Sequence, residues 1–389
     1  MLKSKLICIL ISLLFILSSC DNGKTSESVF PAQATNAACE SETIANRYVI
    51  QWEDGTYSIH QSAKNIDDET FRNTFVKNHL SKIKHIDRDV KIRIQQQQQN
   101  ATTTSATTWG PEKIEAPYLW NQGHTGQNVI IGVVDGMVDN NHVQLSTNIL
   151  ALQQFNNELN NPKLNRHGTH VAGIIAADPN KGTISGVAPS AKIISGQFIG
   201  NDGGGSLGDA IMAMNYVANK GAKIINMSWG GAPCVQNLRS AVESLSNQGI
   251  LIVTASGNEG LNSDFYPTYP AAFNLKNQIN VAASTLDDFL IYFSNRGYNS
   301  VNIAAPGVNI YSTVPGNQIE SMDGTRMAAP MVSGAAALLW SAVPNATSQD
   351  IKSALLQSVD RPNQRELIVS SRGRLNVRKA LDSLKSMLQ

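Results

Sequence analysis

The chain has 389 residues, of which 42% are hydrophobic and 16% are charged. This composition is typical of a globular protein that buries a large core and has room for more than one domain. The 31 Lys and Arg residues nearly balance the 30 Asp and Glu residues. A net charge this small gives no overall attraction to nucleic acid or to an anionic membrane surface. We therefore expect no nucleic-acid partner.

The N-terminal segment is predicted to be an export signal. Two lysines precede an apolar run from Leu6 to Leu17, which is too short to span a bilayer comfortably. The run ends in Leu-Ser-Ser-Cys, which resembles a bacterial lipoprotein box, so residues 1–19 are predicted to be removed and Cys20 to carry lipid. The alternative is a plain secretory signal in which Cys20 is incidental. With lipid at Cys20, the protein is exported and tethered to an envelope membrane by a flexible stalk, residues 20–44.

The chain has 4 cysteines, and two of them fall in or at the end of the signal, at Cys8 and Cys20. The remaining pair, Cys39 and Cys234, either forms a disulfide in the oxidising envelope or stays as two separate buried thiols. Sequence spacing leaves both alternatives open.

Residues 45–94 are predicted to form a small α+β domain. Apolar and polar residues alternate in Arg47–Gly55 and again in Lys84–Ile94, which predicts strands, and Asp67–Ile83 between them has helical spacing. Residues 95–108 are a low-complexity run of Gln and Thr that has nothing to bury, so we interpret them as an exposed linker.

Strands and helices alternate through residues 109–389. This order predicts an α/β fold in which a mainly parallel sheet is covered by helices on both faces. The predicted strands are Asn128–Asp135, Ala191–Ile199, Lys223–Trp229, Ile250–Asn258 and Val301–Gly307. The predicted helices are His167–Ala177, Gly208–Gly221, Asn237–Gly249, Thr325–Val343, Ser348–Val359 and Val377–Leu388.

Three polar residues mark a candidate site, because ligands of such sheets bind at the carboxyl ends of the strands. Asp135 and Asn258 each end a strand, and His167 begins a helix. A buried carboxylate beside a histidine fixes its tautomer, and an asparagine amide can stabilise an oxyanion. Taken singly, these residues could instead hydrogen-bond a turn, cap a helix and occupy a left-handed turn position. His167 and His170 lack a third ligand, so no metal or other cofactor is expected.

Four motifs, taken together, identify a family. "VVDGMVDNNHVQL", "HGTHVAG", "ASGNEG" and "DGTRMAAPMVSGAAALL" follow in the order found in the subtilisin-like serine proteases, the subtilases, and the similarity runs from Trp109 nearly to the end. The resemblance implies the three-layer fold of that family, with Asp135 as the orienting acid, His167 as the base and Asn258 in the oxyanion hole. Residues 45–94 resemble, more weakly, the inhibitor-like propeptide of the family.

The resemblance also implies an extended cleft that binds peptide or protein segments as an added strand. Two motifs carry this expectation: "SWG", which matches the strand that pairs with a substrate, and "DGGGS", which matches the loop opposite it. The expected binding residues are Ser228, Trp229, Gly230, Gly204 and Gly205.

The nucleophile position departs from the family. Arg326 stands where the family has serine in Gly-Thr-Ser-Met-Ala, and a guanidinium has no nucleophilic lone pair. Neither Ser321 nor Ser333 has the register to replace that serine, and the adjacent Thr325 is expected to point elsewhere. Three functions therefore remain: a peptide-binding homologue without ordinary serine proteolysis, an endopeptidase whose active form has serine at this position, or active proteolysis by a rearranged site.

A cation in the first turn of a helix opposes the helix dipole, so Arg326 is predicted to pair with Asp135 or Asp323. Two further departures are Gln144, in place of a calcium-binding Asp of many subtilases, and Met331, in place of a histidine. The first argues against the calcium site of the family.

Without the serine, the chain cannot remove its own propeptide. Residues from Cys39 to about Thr108 are therefore predicted to stay attached, as a partner in cis.

Overall fold

The computed structural model describes residues 42–93, 99–100, 108–156, 165–200, 203–232, 234–361 and 367–389. The predicted signal, Cys20 with its predicted lipid, and most of the predicted stalk lie outside these residues. The described part of the chain contains no helix that is both long and apolar enough to cross a membrane.

The N-terminal unit, residues 42–93, is a sheet with helical turns packed against it. Strands β1 (Thr43–Trp52) and β2 (Tyr57–Gln61) form a hairpin, and β3 (Ile83–Arg93) pairs antiparallel with β1. Tyr48, Ile50 and Ile86 are almost fully buried in its small core. The predicted single helix is broken into three short segments: α1 (Asp68–Phe71), a π-helical turn (Arg72–Val76) and α2 (Lys77–His79).

The main domain is built on a seven-stranded sheet in which every pair of neighbouring strands is parallel. The strands are β5 (Ile130–Gly136), β6 (Ile149–Gln154), β7 (Lys192–Ile199), β9 (Ile224–Met227), β10 (Leu251–Ala255), β11 (Gln278–Ser284) and β12 (Ile303–Pro306). Their order in the sheet is β12-β11-β10-β9-β5-β7-β6. The continuous Val and Ile runs of the sequence form these strands because both sheet faces are covered.

Helices cover both faces of the sheet, which confirms the predicted α/β architecture. On one face, α5 (Arg166–Ala176) and α8 (Thr325–Ala342) share a core with the strands, together with α9 (Ser348–Gln357) and α10 (Val377–Met387). On the other face lie α6 (Leu207–Asn219) and α7 (Gln236–Asn247). Two short helices, α3 (Trp109–Lys113) and α4 (Ala116–Trp120), lead into β5.

Four further short strands lie outside the seven-stranded sheet. Strand β8 (Gly204–Ser206) precedes α6, and β13 (Ile310–Val314) forms a hairpin with β14 (Gln318–Met322). Residues Gln99–Asn100 form β4, which pairs antiparallel with β14.

The N-terminal unit is joined to the main domain by buried polar contacts. Asp89 Oδ1 accepts from Gly208 N at 2.8 Å, in the first turn of α6, and Asp87 Oδ2 accepts from Asn237 N at 2.9 Å, in the first turn of α7. A carboxylate at a helix N-terminus satisfies free N–H groups and complements the dipole. Arg47 lies between Asp89, with Nε at 3.1 Å, and Asp209, with Nη2 at 2.5 Å.

Cys234 is disulfide-bonded. Cys39, the partner considered from the sequence, lies outside the described residues, as do the other two cysteines, so the pairing stays a prediction.

Candidate active site

Asp135 and His167 form a hydrogen-bonded pair at the carboxyl end of β5. Asp135 is fully buried, and its Oδ1 lies 2.8 Å from His167 Nδ1 and accepts from Gly136 N at 2.6 Å. A proton on Nδ1 directed at the carboxylate leaves Nε2 as the basic nitrogen. Among the described residues, His167 Nε2 has no hydrogen-bond partner. This arrangement orients a general base toward the cleft.

A close contact between α5 and β5 sets this geometry. A Cβ at Gly168 would lie 2.1 Å from the carbonyl oxygen of Gly136, so only glycine allows the helix to approach the strand this closely. Asn165 caps α5 by accepting from Gly168 N at 3.1 Å, and its Nδ2 donates to Gly200 O at 3.0 Å. The first residues of the helix, including His167, are therefore held on both sides.

Asn258 is positioned by the start of α8. Its Oδ1 accepts from Thr325 N at 3.0 Å and from Thr325 Oγ1 at 2.8 Å. Because the amide oxygen is engaged twice on this side, the amide NH₂ group is the end left to face the cleft. A fixed donor of this kind stabilises negative charge that develops on a carbonyl oxygen.

Arg326 lies in the first turn of α8, and only 4% of it is exposed. Burial lowers the pKa of its guanidinium, and attraction to Glu259 and to Asp135 opposes that shift. Asp135, one of the two predicted partners, therefore attracts Arg326. Asp323, the other predicted partner, accepts from Asn309 N at 2.6 Å through its Oδ1. The sequence reasoning missed Glu259, although it directly follows Asn258 in the same turn.

A serine hydroxyl supplies the helix hydrogen bond that is missing at Arg326. Pro330 lies inside α8 and has no N–H to donate to the carbonyl of Arg326, four residues earlier. Ser228 Oγ donates to that carbonyl instead, at 2.8 Å, and itself accepts from Asn226 Nδ2 at 2.9 Å. The nucleophile position is thus tied to the end of β9.

Hydroxyl groups near Arg326 are already engaged. Thr325 Oγ1 donates to Asn258 and accepts from Gly257 N at 3.2 Å, Ser228 Oγ donates to Arg326 O, and Ser333 Oγ donates to Asn226 Oδ1 at 2.8 Å. Each of these hydroxyls holds the scaffold together. None of them donates a hydrogen bond to His167 Nε2, although such a bond is what activates a serine as a nucleophile.

One of the expected peptide-binding segments already pairs with another part of the chain. Ile92 and Arg93 of β3 pair antiparallel with Gly205 and Gly204 of β8. The side chain of Ile92 is 1% exposed and packs in the main-domain core.

A second such pairing joins Asn100 and Gln99 of β4 to Ser321 and Met322 of β14.

The other expected binding residues, Ser228, Trp229 and Gly230, follow β9. Trp229 is fully buried, with its ring 5.0 Å from the Phe198 ring, so its side chain belongs to the core.

Gln144, the predicted departure from the calcium-binding Asp of many subtilases, binds two backbone carbonyls. Its Nε2 donates to Asp178 O at 3.0 Å and to Ile184 O at 2.7 Å. Backbone carbonyl oxygens are among the ligands of hard cations, and here two of them accept from an amide. The described residues include no group of three or more His, Cys, Asp or Glu side chains able to hold a metal ion.

His170, the other half of the His-His pair, is fully buried and its Nε2 lies 3.1 Å from Glu320 O. Burial lowers its pKa to about 3, so His170 is a neutral core residue.

Replacing Gln144 tests this substitution of an amide for a cation. The Gln144→Ala variant should lose about 1–3 kcal/mol of the free energy of unfolding, because two carbonyl groups lose their donor. The Gln144→Glu variant, whose carboxylate would face these oxygens, should melt lower in chelator and regain stability with calcium. The parent and the exposed control Gln357→Glu should melt alike with calcium and with chelator. A parent Tm that falls on chelation would show that a cation holds this loop.

Comparison with known proteins decides the family. The model of the Subtilase family matches residues 126–376 of the chain. The chain belongs to the subtilase family. Subtilases are serine proteases of the subtilisin type, and the predicted subtilisin-like fold is confirmed.

Individual subtilases are similar over most of the main domain. The chain is 38% identical to "Thermophilic serine proteinase" of Bacillus sp. (strain AK1) over 67% of its own length and 64% of that protein. It is 37% identical to "Thermitase" of Thermoactinomyces vulgaris over 66% of its own length and 90% of that protein. It is 38% identical to "Subtilisin-like protease 2" of Plasmodium falciparum (isolate 3D7) over 61% of its own length, but spans only 19% of that protein.

Proposed function

We propose that this subtilase is a pseudoprotease that binds peptide or protein segments in its cleft and does not form an acyl-enzyme. The observation that carries the proposal is the buried Arg326 in the first turn of α8, beside an otherwise complete Asp135 and His167 pair. The guanidinium cannot attack a carbonyl, and it fills space next to the base and Asn258. Strand pairing at Gly204 and Gly205 supports the binding role, because this edge already accepts an extended segment of the same chain.

The second candidate is a working serine endopeptidase whose active form has serine at position 326. The observation in its favour is the preset geometry: Asp135 and His167 lie 2.8 Å apart, and Asn258 is held by two hydrogen bonds. A site without use has no need of this order. Arg and Ser codons can differ by one base, so sequencing the coding DNA of fresh isolates, together with casein assays of the parent protein, distinguishes the two candidates.

The place of action is proposed from the N-terminal segment alone. The apolar run before Cys20 and the Leu-Ser-Ser-Cys ending support export and lipid anchoring at an envelope membrane. The relatives do not decide this point, because one of them, 37% identical over 240 residues, is the "Major intracellular serine protease" of Bacillus subtilis (strain 168). Metabolic labelling with a fatty acid, compared between the parent and Cys20→Ser, tests the anchor.

We expect the N-terminal unit to remain covalently attached. Removal of this unit would need cleavage between Arg93 and Trp109. The protein cannot make that cut itself if Arg326 has replaced its nucleophile. Intact mass of the parent purified from the envelope should therefore correspond to the whole chain from Cys20, with its lipid. A mature product that begins between Arg93 and Trp109 in the parent would contradict the pseudoprotease proposal unless another protease made it, which the His167→Ala variant would reveal by giving the same product.

A further inference from the structure

Four large apolar side chains are exposed on two adjoining loops next to the cleft. We call them the aromatic surface: Leu261, Phe265, Tyr266 and Tyr292, with exposed fractions of 39%, 74%, 61% and 76%. The loops are joined by hydrogen bonds from Gly260 N to Phe293 O at 2.6 Å and from Arg296 N to Leu261 O at 3.0 Å. Contiguous exposed apolar groups of this size mark interaction sites.

The loops that carry the aromatic surface are held in place by one buried side chain. Asn295 Oδ1 accepts from Glu259 N at 3.2 Å and from Leu261 N at 2.9 Å, and its Nδ2 donates to Ser256 O at 3.0 Å. Because Asn258 lies between Ser256 and Glu259, the same contacts link the aromatic surface to the cleft. The apolar groups are therefore presented by a fixed backbone.

Charge is arranged around the aromatic surface in a way that suits a lipid interface. Asp264 accepts hydrogen bonds from the backbone of Tyr298, at 2.9 Å, and Ser300, at 2.9 Å, and Glu259 Oε2 accepts from Asn295 Nδ2 at 2.7 Å. The carboxylates of the loops are thus engaged within the protein. The guanidinium of Arg372 stacks over the Tyr298 ring at 4.1 Å, so a cation lies against the loop that carries Tyr292. Aromatic side chains with a cation nearby match the acyl boundary and phosphates of a bilayer.

We propose that the aromatic surface docks on the membrane to which Cys20 is anchored, an inference that rests on the lipid anchoring proposed above. Glu42, where the described structure begins, is 22 residues from Cys20, so the chain can place it no farther than about 80 Å from the lipid. Such a tether keeps the main domain at the bilayer, so a weak apolar contact becomes effectively intramolecular. Docking places the cleft beside the bilayer and favours binding of segments that emerge from it.

Depth-dependent fluorescence quenching tests the proposal. The full lipidated chain, with Phe265→Trp, is reconstituted into phosphatidylcholine vesicles whose acyl chains carry bromine near the headgroup. The emission that the added tryptophan contributes over the parent should lie at shorter wavelength than that of a control tryptophan, Leu150→Trp. It should also be quenched at least about twofold more than the control, because docked side chains lie in the headgroup and acyl boundary. Leu150 is 53% exposed on β6 of the same domain.

Adding Tyr266→Ser and Tyr292→Ser to the Phe265→Trp chain should bring the quenching down to the level of the control. Equal quenching at positions 265 and 150, in protein that floats with the vesicles, would overturn the docking proposal and leave the lipid anchor intact. Protein that does not float with the vesicles at all would overturn the anchor and the docking together.

Discussion

The Arg326→Ser variant should cleave casein and release its own N-terminal unit, whereas the parent should do neither. The variant restores a hydroxyl next to His167, whose Nε2 is available as a base and whose Nδ1 is already fixed by Asp135. In subtilisin itself, loss of the serine lowers turnover about 2 × 10⁶-fold. We expect a gain of several orders of magnitude, since the acid, the base and Asn258 are all in place.

The substitution also removes a poorly placed charge. Arg326 is a buried cation at the N-terminal end of α8, where the helix dipole opposes it. Serine there needs no desolvation of a charge, so the variant should unfold at an equal or higher denaturant concentration. Cleavage and self-processing are measured together, by casein digestion and by intact mass.

Double variants separate restored catalysis from contamination. Arg326→Ser combined with His167→Ala should lose the gained cleavage, because no base remains to take the serine proton. Arg326→Ala should stay inert while folding normally. An inert but folded Arg326→Ser chain would mean that the site has diverged beyond this one residue and would rule out the endopeptidase candidate. Casein cleavage by the parent, abolished by His167→Ala, would overturn the pseudoprotease proposal.

The sequence predicted those parts of the site that depend on short motifs and strand ends. Asp135 and His167 could be paired before the structure because a buried strand ends at one and a helix begins near the other. Glu259 could not be assigned, since its influence on Arg326 depends on how the turn after β10 meets the first turn of α8. The ring of Trp229 was equally undecidable, because a residue that follows a strand can face either the cleft or the core.

Long-range contacts between the two units were also beyond the sequence. Arg47 and Asp209 are separated by 162 residues, and neither belongs to a recognisable motif. Their contact depends on β3 lying along α6, which alternation within β3 cannot specify. The same alternation did predict the strand itself, and the expected helix between the strands differed because it is interrupted by a π-helical turn.

The Arg47→Ala variant should lower the free energy of opening of the N-terminal unit by about 3–5 kcal/mol. This is the cost of leaving buried carboxylates without their cation. Arg47 is the cation that lies between Asp89 and Asp209, both of which are almost fully buried. Exposed Lys64 is the matched control, and Lys64→Ala should change stability by less than about 0.5 kcal/mol. Hydrogen exchange of the β1 and β3 amides measures the opening of this unit directly.

The loss should depend on pH in a defined direction. Burial raises the pKa of Asp209 to about 6, against the lowering effect of Arg47, and burial likewise raises the pKa of Asp89. A carboxyl whose folded pKa is raised binds its proton more tightly in the docked state, so its stabilisation is fully present below about pH 4 and is lost as the pH rises through about 6. The N-terminal unit should thus be held more tightly at about pH 5 than at about pH 7.5.

Removal of Arg47 should steepen this dependence, because the cation offsets the charge of the two ionised carboxylates at the higher pH. Arg47→Ala should accordingly cost less at about pH 5 than at about pH 7.5, and Asp209→Asn in the parent should flatten the profile. Equal amide protection at both pH values, in parent and variant, would contradict this prediction. It would show that the cluster of Arg47, Asp89 and Asp209 does not control how firmly the N-terminal unit is held against the main domain.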